Sequence, residues 1–123
     1  MSNALTAGKA ALVADVKAIA AAHVPGQKVV VMDYEPTSVP AGQVTVTVTA
    51  SDMRPDALTY RLIIYAPYSD PATGQARQED VVAAISDELP SRWLDPAWQF
   101  GWDDRLNLFV AQATVSTPRG LGS

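Results

Sequence analysis

The segment 43–50 alternates between valine and threonine, and this alternation restricts the fold more than any other feature of the chain. Successive side chains of a β-strand point to opposite faces, so Val44, Val46 and Val48 share one face and the intervening threonines share the other. A strand with one apolar and one hydroxyl-bearing face is typical of an antiparallel sheet covered on one side. We therefore expect the valines to pack against helices and the threonine face to be either solvated or in contact with another subunit.

The rest of the chain divides into elements at clear start and stop signals. Apolar residues at helical spacing follow a possible cap at Ser2 or Asn3 and end before Pro25, and a second apolar stripe ends at Pro90. The predicted elements are a helix at 3–23, strands at 28–33, 43–50 and 58–66, a helix at 76–89 and a strand at 105–117. This order, α-β-β-β-α-β, predicts an α+β fold with two helices packed on one face of a mainly antiparallel four-stranded sheet.

Length and composition favour one compact domain. A chain of 123 residues is typical of a single domain, 1–123, in which we expect 118–123 to be a flexible tail. Hydrophobic residues make up 48% of the chain, which is enough for a packed core. The sequence has no cysteine, which excludes disulfides and thiolate metal sites.

The charged residues argue against a nucleic-acid-binding protein and against a membrane protein. The 9 basic residues are scattered singly among 13 acidic ones, whereas binding of phosphates needs concentrated lysine and arginine. No apolar run is long enough to span a bilayer, and the N-terminus lacks the pattern of a signal peptide. We expect a soluble protein that is made and used in a cytoplasm.

Motifs that carry catalysis are missing from the sequence. Glycine-rich phosphate loops, zinc-ligand spacings and nucleophile elbows do not occur. The single histidine, His23, lies at a helix end, where a capping role is favoured over acid–base catalysis. Two acidic pairs, Asp33 with Glu35 and Asp103 with Asp104, leave open a small metal-dependent hydrolase, although solvated turn carboxylates are the simpler explanation and are favoured. We predict no enzymatic activity, no catalytic or metal-binding residue and no cofactor.

The segment from Trp93 to Trp102 holds all three tryptophans and a phenylalanine. Large aromatic side chains are common both in cores and as anchors of protein–protein interfaces. Four of them within ten residues are difficult to bury in one small core. We therefore predict an aromatic turn, with at least one of these rings in contact with a neighbouring molecule.

Taken together, the element order resembles the tail terminator proteins (minor tail or tail-completion proteins) of long-tailed bacteriophages. The resemblance extends from Asn3 to Arg119 and has no invariant motif. It depends on the opening Ala/Leu-rich helix, the strand Val29–Met32, the Pro/Gly-interrupted loop Tyr34–Gly42, the segment Leu62–Tyr65, the helix Val81–Leu89 and the closing strand Arg105–Pro118.

The resemblance implies a virion protein of the tail–neck region that is assembled in the host cytoplasm. Such a protein forms a ring, usually a hexamer, on the end of the tail tube, stops tail polymerisation and presents the docking surface for the head–tail connector. DNA would pass through an acidic lumen without specific binding, because like charges repel. The candidate interface residues are Tyr34, Tyr68 and Trp98, one from each of the loops that a rigid sheet would carry.

Two other interpretations stay open beside the terminator and the hydrolase. Other phage neck and head–tail joining proteins share a similar element order, and a cellular α+β adaptor without a phage role is also compatible with the sequence. The sequence does not separate these possibilities.

Overall fold

A computed structural model of the protein describes residues 3–94 and 96–118. The protein is an α+β structure with two helices and a five-stranded mixed sheet. The elements in chain order are α1 (Ala4–His23), β1 (Val29–Met32), β2 (Val44–Met53), β3 (Ala57–Tyr65), α2 (Pro71–Glu88), β4 (Gln99–Asp103) and β5 (Leu108–Pro118). Of the predicted flexible tail, only Pro118 is described, and it ends β5; 119–123 lie outside the described residues.

The sheet has the strand order β1-β2-β3-β5-β4, which corrects the predicted four antiparallel strands in two ways. First, β1 runs parallel to β2, while every other neighbouring pair is antiparallel. The chain between β1 and β2 returns to the end of the sheet where β1 began, so Val44 N–H bonds the carbonyl of Lys28 at 2.9 Å. A parallel pair needs such a crossover, and its direction cannot be read from the composition of the loop.

The second correction is an additional strand, β4, in the segment predicted to be an aromatic turn. This strand forms an antiparallel hairpin with β5, in which Trp102 lies opposite Phe109. The turn falls at 104–107, so β5 begins at Leu108 and not at Arg105 as predicted. Asn107 has φ of 58°, a left-handed conformation that asparagine tolerates better than most residues.

Both helices have side-chain caps at their N-termini. The Asn3 side chain accepts a hydrogen bond from Thr6 N at 2.7 Å, which confirms the predicted start of α1. The second helix begins five residues earlier than predicted, because Asp70 caps it and Pro71 occupies its first turn. Pro71 lies in the segment between the predicted strand at 58–66 and the predicted helix at 76–89. Proline nevertheless fits the first position of a helix, because the backbone N–H that it lacks would have no partner there.

The main core lies between the helices and one face of the sheet, as the valine–threonine alternation predicts. Val44, Val46 and Val48 are fully buried on this face. Helix α1 lies over β1 and β2, and α2 lies over β3. The buried side chains that meet the three valines come from both helices: Leu12, Val16, Ile19, Val81 and Ile85.

The opposite face is also covered, which corrects the expectation of a solvated or subunit-facing threonine row. Thr45 and Thr47 are 0% and 1% exposed. They lie beside Tyr65 and Ile63 in the register of β2 with β3, and these two side chains form a second apolar cluster with Val110. The connection between β1 and β2 folds over this face, and three further side chains pack against the cluster: Val39, Leu106 and Leu108. Thr45 and Thr47 therefore lie in the interior of the same chain, whereas Thr49 is partly exposed.

Candidate interaction surface

Three large aromatic side chains are exposed together on the β4–β5 hairpin. Phe100 is 60% exposed, Trp102 50% and Phe109 66%. The rings of Trp102 and Phe109 meet edge to face, with centroids 5.0 Å apart and planes at 82°. We call Phe100, Trp102 and Phe109 the aromatic face. Clusters of this kind are typical of surfaces that bind other molecules.

The aromatic face is exposed because the helices end before they reach it. Phe100 pairs with Ala111, and Ala111 belongs to the main core, so the aromatic face lies on the helix side of the sheet. Helix α2 covers β3 but leaves the outermost strand without a helix above it. This side of the sheet therefore presents apolar rings to solvent at its β4 edge.

A groove with a volume of about 430 Å³ lies on the other side of β4, and a larger one of about 730 Å³ separates the aromatic face from the first turns of α2. The helix wall of the larger groove includes Gly74, Gln75 and Glu79, and Tyr68 closes one part of it. Gly74 allows a close approach here, because a Cβ at this position would lie 2.7 Å from the carbonyl oxygen of Ala66. The larger groove thus combines an aromatic wall with a polar helical wall.

The remaining two tryptophans are hydrogen-bonded to helices, and only one of them is fully buried. Trp93 is 3% exposed, stacks edge to face on Tyr60 at 5.9 Å, and donates its indole N–H to Asp15 Oδ2 at 2.7 Å. Trp98 is half-buried and donates its indole N–H to the hydroxyl of Ser86 on α2 at 2.7 Å. The aromatic segment is therefore divided between core and surface, and Asp95 within it lies outside the described residues.

The three predicted interface residues do not form one surface. Tyr68 lines the larger groove, so it lies beside the aromatic face. Trp98 is directed to α2 and is only partly accessible. Tyr34 is 59% exposed in the connection between β1 and β2 and does not line the groove. Phe109, the most exposed aromatic residue among those described, was not predicted; an aromatic pair two residues apart, followed by a polar turn, is a hairpin signal that would have indicated it.

Of the four candidate metal ligands, Asp33 and Asp104 are exposed, and the other two have local partners. Glu35 forms an ion pair with Arg105 at 3.7 Å, and Asp103 Oδ1 accepts the backbone N–H of Leu106 at 3.0 Å in the hairpin turn. Within 3–94 and 96–118, no group of three or more histidine or carboxylate side chains is placed to hold a metal ion. Nearby, burial and then the charge of Asp103 raise the pKa of the Tyr65 hydroxyl. The carboxylates thus stabilise the hairpin turn and its neighbouring loop.

The only histidine also has a local partner. His23 is the last residue of α1, and its Nε2 lies 3.6 Å from Glu88 Oε2 near the end of α2. Both side chains are close to half exposed, so they link the two helix ends at the protein surface. This position agrees with the predicted role at a helix C-terminus.

Comparison with known protein families and with curated proteins found no match to the sequence. Among the described residues, neither helix is long and apolar enough to cross a membrane. The functional argument therefore depends on the aromatic face, on the groove beside it and on the free edges of the sheet.

Proposed function

We propose that the protein is a structural tail terminator of a long-tailed bacteriophage. It forms a ring on the end of the tail tube, stops polymerisation of the tube and presents a docking surface to the head–tail connector. The observation that carries this proposal is the aromatic face beside the groove, because clustered exposed aromatic side chains are typical of surfaces that bind other proteins.

The energetics of the aromatic face favour a macromolecular partner. Burial of one large apolar side chain contributes about 1.5–3 kcal/mol, so three half-exposed rings offer a substantial part of a binding free energy. Aromatic anchors near the centre of an interface commonly dominate its affinity. In a monomer the same rings would remain in water and gain none of this free energy. The larger groove, of about 730 Å³, provides a concave site into which a partner's side chains fit.

The assembly that we propose has the protein itself, the tail tube protein and the connector protein as partners. Six copies form the ring, as the resemblance to terminators implies, and the particle carries it in the tail–neck region. A formal charge of −4 for each copy supports an acidic lumen, through which DNA passes without specific binding. A related neck or head–tail joining protein is the second candidate, since it would use the same kind of surface.

A phage genome that lacks this gene tests the proposal. Complementation with the wild-type protein is expected to restore joined tails of uniform length, measured by electron microscopy. The Phe109→Ala variant is expected to give overlong or unjoined tails, because it removes the most exposed ring of the aromatic face. A matched control is Met53→Ala, which shortens another apolar side chain that is 51% exposed and lies outside the groove.

The outcomes separate the candidates. Overlong tails support a terminator, whereas tails of normal length that fail to join heads support a head–tail joining protein. Normal joined tails from the gene-deleted genome would contradict both. A hydrolase is not supported, because its four candidate carboxylates do not assemble into a metal site.

A further inference from the structure

Both edges of the sheet are open along their backbones. The strands β1 and β4 are the outermost members of the sheet, and no other strand in the described part of the chain pairs with their outer sides. Each edge therefore presents backbone N–H and C=O groups that a further strand could satisfy.

The two edge strands are short, which limits pairing, but neither contains a lysine or a proline. Protective edges contain lysine, proline or inward-pointing charges, whereas β1 is Val-Val-Val-Met and β4 is Gln-Phe-Gly-Trp-Asp. The two strands are similar in length, with four and five residues. Both open edges of the sheet become paired when β1 of one copy meets β4 of the next copy.

The topology sets the direction of that pairing. Because β1 is parallel to β2 and the next three pairings are antiparallel, β4 runs opposite to β1 within one chain. If the next copy continues the sheet in the same orientation, its β1 lies antiparallel to β4. The C-terminal end of β4 then meets the N-terminal end of the neighbouring β1.

Two features favour one register of β4 with β1 of the next copy: the face of the sheet on which each side chain lies, and charge. Phe100 and Trp102 are on the helix side of β4, and Val29 and Val31 are on the helix side of β1, opposite Val44 and Val46. When Trp102 lies opposite Val29, the apolar residues match on that side and all of β1 is paired. A slip by one residue would put these side chains on opposite faces.

The same register brings opposite charges together. It places Asp103, the last residue of β4, directly across from Lys28, which precedes β1 and is exposed. A slip by two residues would keep the faces but leave one or two residues of β1 unpaired, depending on its direction, and separate this ion pair. Charge and apolar matching therefore agree on a single alignment.

We propose that copies of this protein associate head to tail by antiparallel pairing of β4 with β1 of the next copy, with Gly101 opposite Val30 and Asp103 opposite Lys28. This inference takes up the ring of the proposed function and names the contact that builds it. A head-to-tail contact closes into a ring when its rotations complete a turn, and otherwise continues as a filament. Phe109, on β5, stays outside the contact and remains accessible for a different partner.

Engineered disulfides test the alignment cleanly, because the chain has no native cysteine. The Val30→Cys/Gly101→Cys variant is expected to form a ladder of covalent multimers on mild oxidation of the concentrated protein, as directly opposed residues lie within disulfide reach. A Cβ at Gly101 would meet no atom within 4 Å, so this substitution fits the folded monomer. Non-reducing gel electrophoresis and native mass spectrometry give the readout.

The matched control shifts one cysteine by a single residue. In Val30→Cys/Phe100→Cys the two side chains are on opposite faces of the paired sheet, so no ladder is expected. Covalent dimers from Gly101→Cys alone would show that β4 pairs with β4 of a second copy, and this would overturn the proposal. A double variant that stays monomeric under oxidation, with an unchanged circular dichroism spectrum, would overturn it as well.

A charge test addresses the same contact without cysteine. Asp103→Asn keeps an oxygen to accept the Leu106 N–H and removes the charge, and Lys28→Gln removes the opposite charge. Each is expected to weaken self-association by about fivefold or less, and the double variant by no more than either alone. Additive losses would contradict the pairing of these two residues.

The disulfide test and the phage test together separate the edge contact from the proposed function. If no ladder forms while Phe109→Ala still disrupts tails, the edge contact is wrong and the proposed function stands. If the ladder forms while Phe109→Ala gives normal joined tails, the proposed function alone is refuted.

Discussion

Replacement of Gly8 by alanine is expected to destabilise the protein, although alanine is the better helix former. Gly8 is an interior residue of α1, so helix propensity alone predicts a gain of about 1 kcal/mol. A Cβ at this position would collide with the hydroxyl of Tyr60 and lie 3.1 Å from its Cζ. Tyr60 cannot turn away, because it is fully buried, bonds the Leu5 carbonyl at 2.7 Å and stacks on Trp93.

The magnitude follows from the two ways of relieving this collision. Displacement of α1 costs about 1–3 kcal/mol of overpacking strain. Displacement of Tyr60 leaves its buried hydroxyl without a partner, at a cost of about 1–3 kcal/mol. After the propensity gain of about 1 kcal/mol is subtracted, we expect a net loss of about 1 kcal/mol in the free energy of unfolding. The melting temperature should fall by about 4 °C, which is the shift that 1 kcal/mol produces in a chain of this size.

Urea denaturation followed by tryptophan fluorescence measures this loss, with Gly26→Ala as the control. An added Cβ at Gly26 meets no atom within 4 Å, so that variant should keep wild-type stability within about 0.5 kcal/mol. Tyr60→Phe removes the colliding oxygen, so Gly8→Ala should cost less in that background than in the wild type. A Gly8→Ala protein as stable as the wild type, or more stable, would refute the packing of α1 on Tyr60.

Two other predictions concern side chains that tie elements together. Asp15→Ala should lower the free energy of unfolding by about 1–3 kcal/mol in urea denaturation, because the buried indole N–H of Trp93 loses its acceptor; Asp15→Asn keeps an acceptor and should lose less, and equal losses would contradict this role. Hydrogen bonds from the Thr73 hydroxyl and the Ala72 N–H lower the pKa of Asp70 below its ordinary value of 3.8. The charged cap should therefore stabilise α2 above that value and lose its effect as the pH falls through the lowered pKa, whereas Asp70→Asn should cap without this dependence. Thermal melts of both proteins over the acidic range measure the difference, and parallel curves would contradict it.

Long periodic segments were predictable because their signal is local. The helix α1 was placed correctly, and β2 was identified with its buried face although it extends to Met53 rather than ending at residue 50, since repeated spacing over many residues indicates both the element and the face that is buried. The alternation in β2 also identified which side chains meet the helices. It could not show what covers the other face, because Val39 and Leu106 come from distant parts of the chain to pack against the cluster on that face.

The short edge strand could not be predicted with the same rule. Five residues that include Gly101 are too few to show a period, and the strand exists because Asp103 and Asn107 form a turn that returns the chain to β5. The parallel direction of β1 has a similar origin, since it depends on the path of a loop with Pro36 and Val39 packed over the sheet. Which strands become neighbours in a sheet, and in which direction they run, is determined by the tertiary structure.

The sequence predicted that the aromatic segment is partly exposed, but it did not predict which residues form the candidate surface. The aromatic segment was identified as partly external, and Phe100 and Trp102 within it are exposed. The individual residues chosen, Tyr34, Tyr68 and Trp98, depended on residue type and loop position alone. Exposure on the helix side of the sheet is set by where α2 lies, so the importance of Phe109 follows only from the assembled fold.

Electron microscopy of tail tubes mixed with the purified protein tests the central claim most directly. The account predicts ring-shaped density at one end of each tube and no further growth when tube protein is added. The Phe109→Ala variant should leave the ends bare and allow growth, while Met53→Ala should behave as the wild type. Binding along the sides of tubes, or continued elongation in the presence of wild-type protein, would contradict the account.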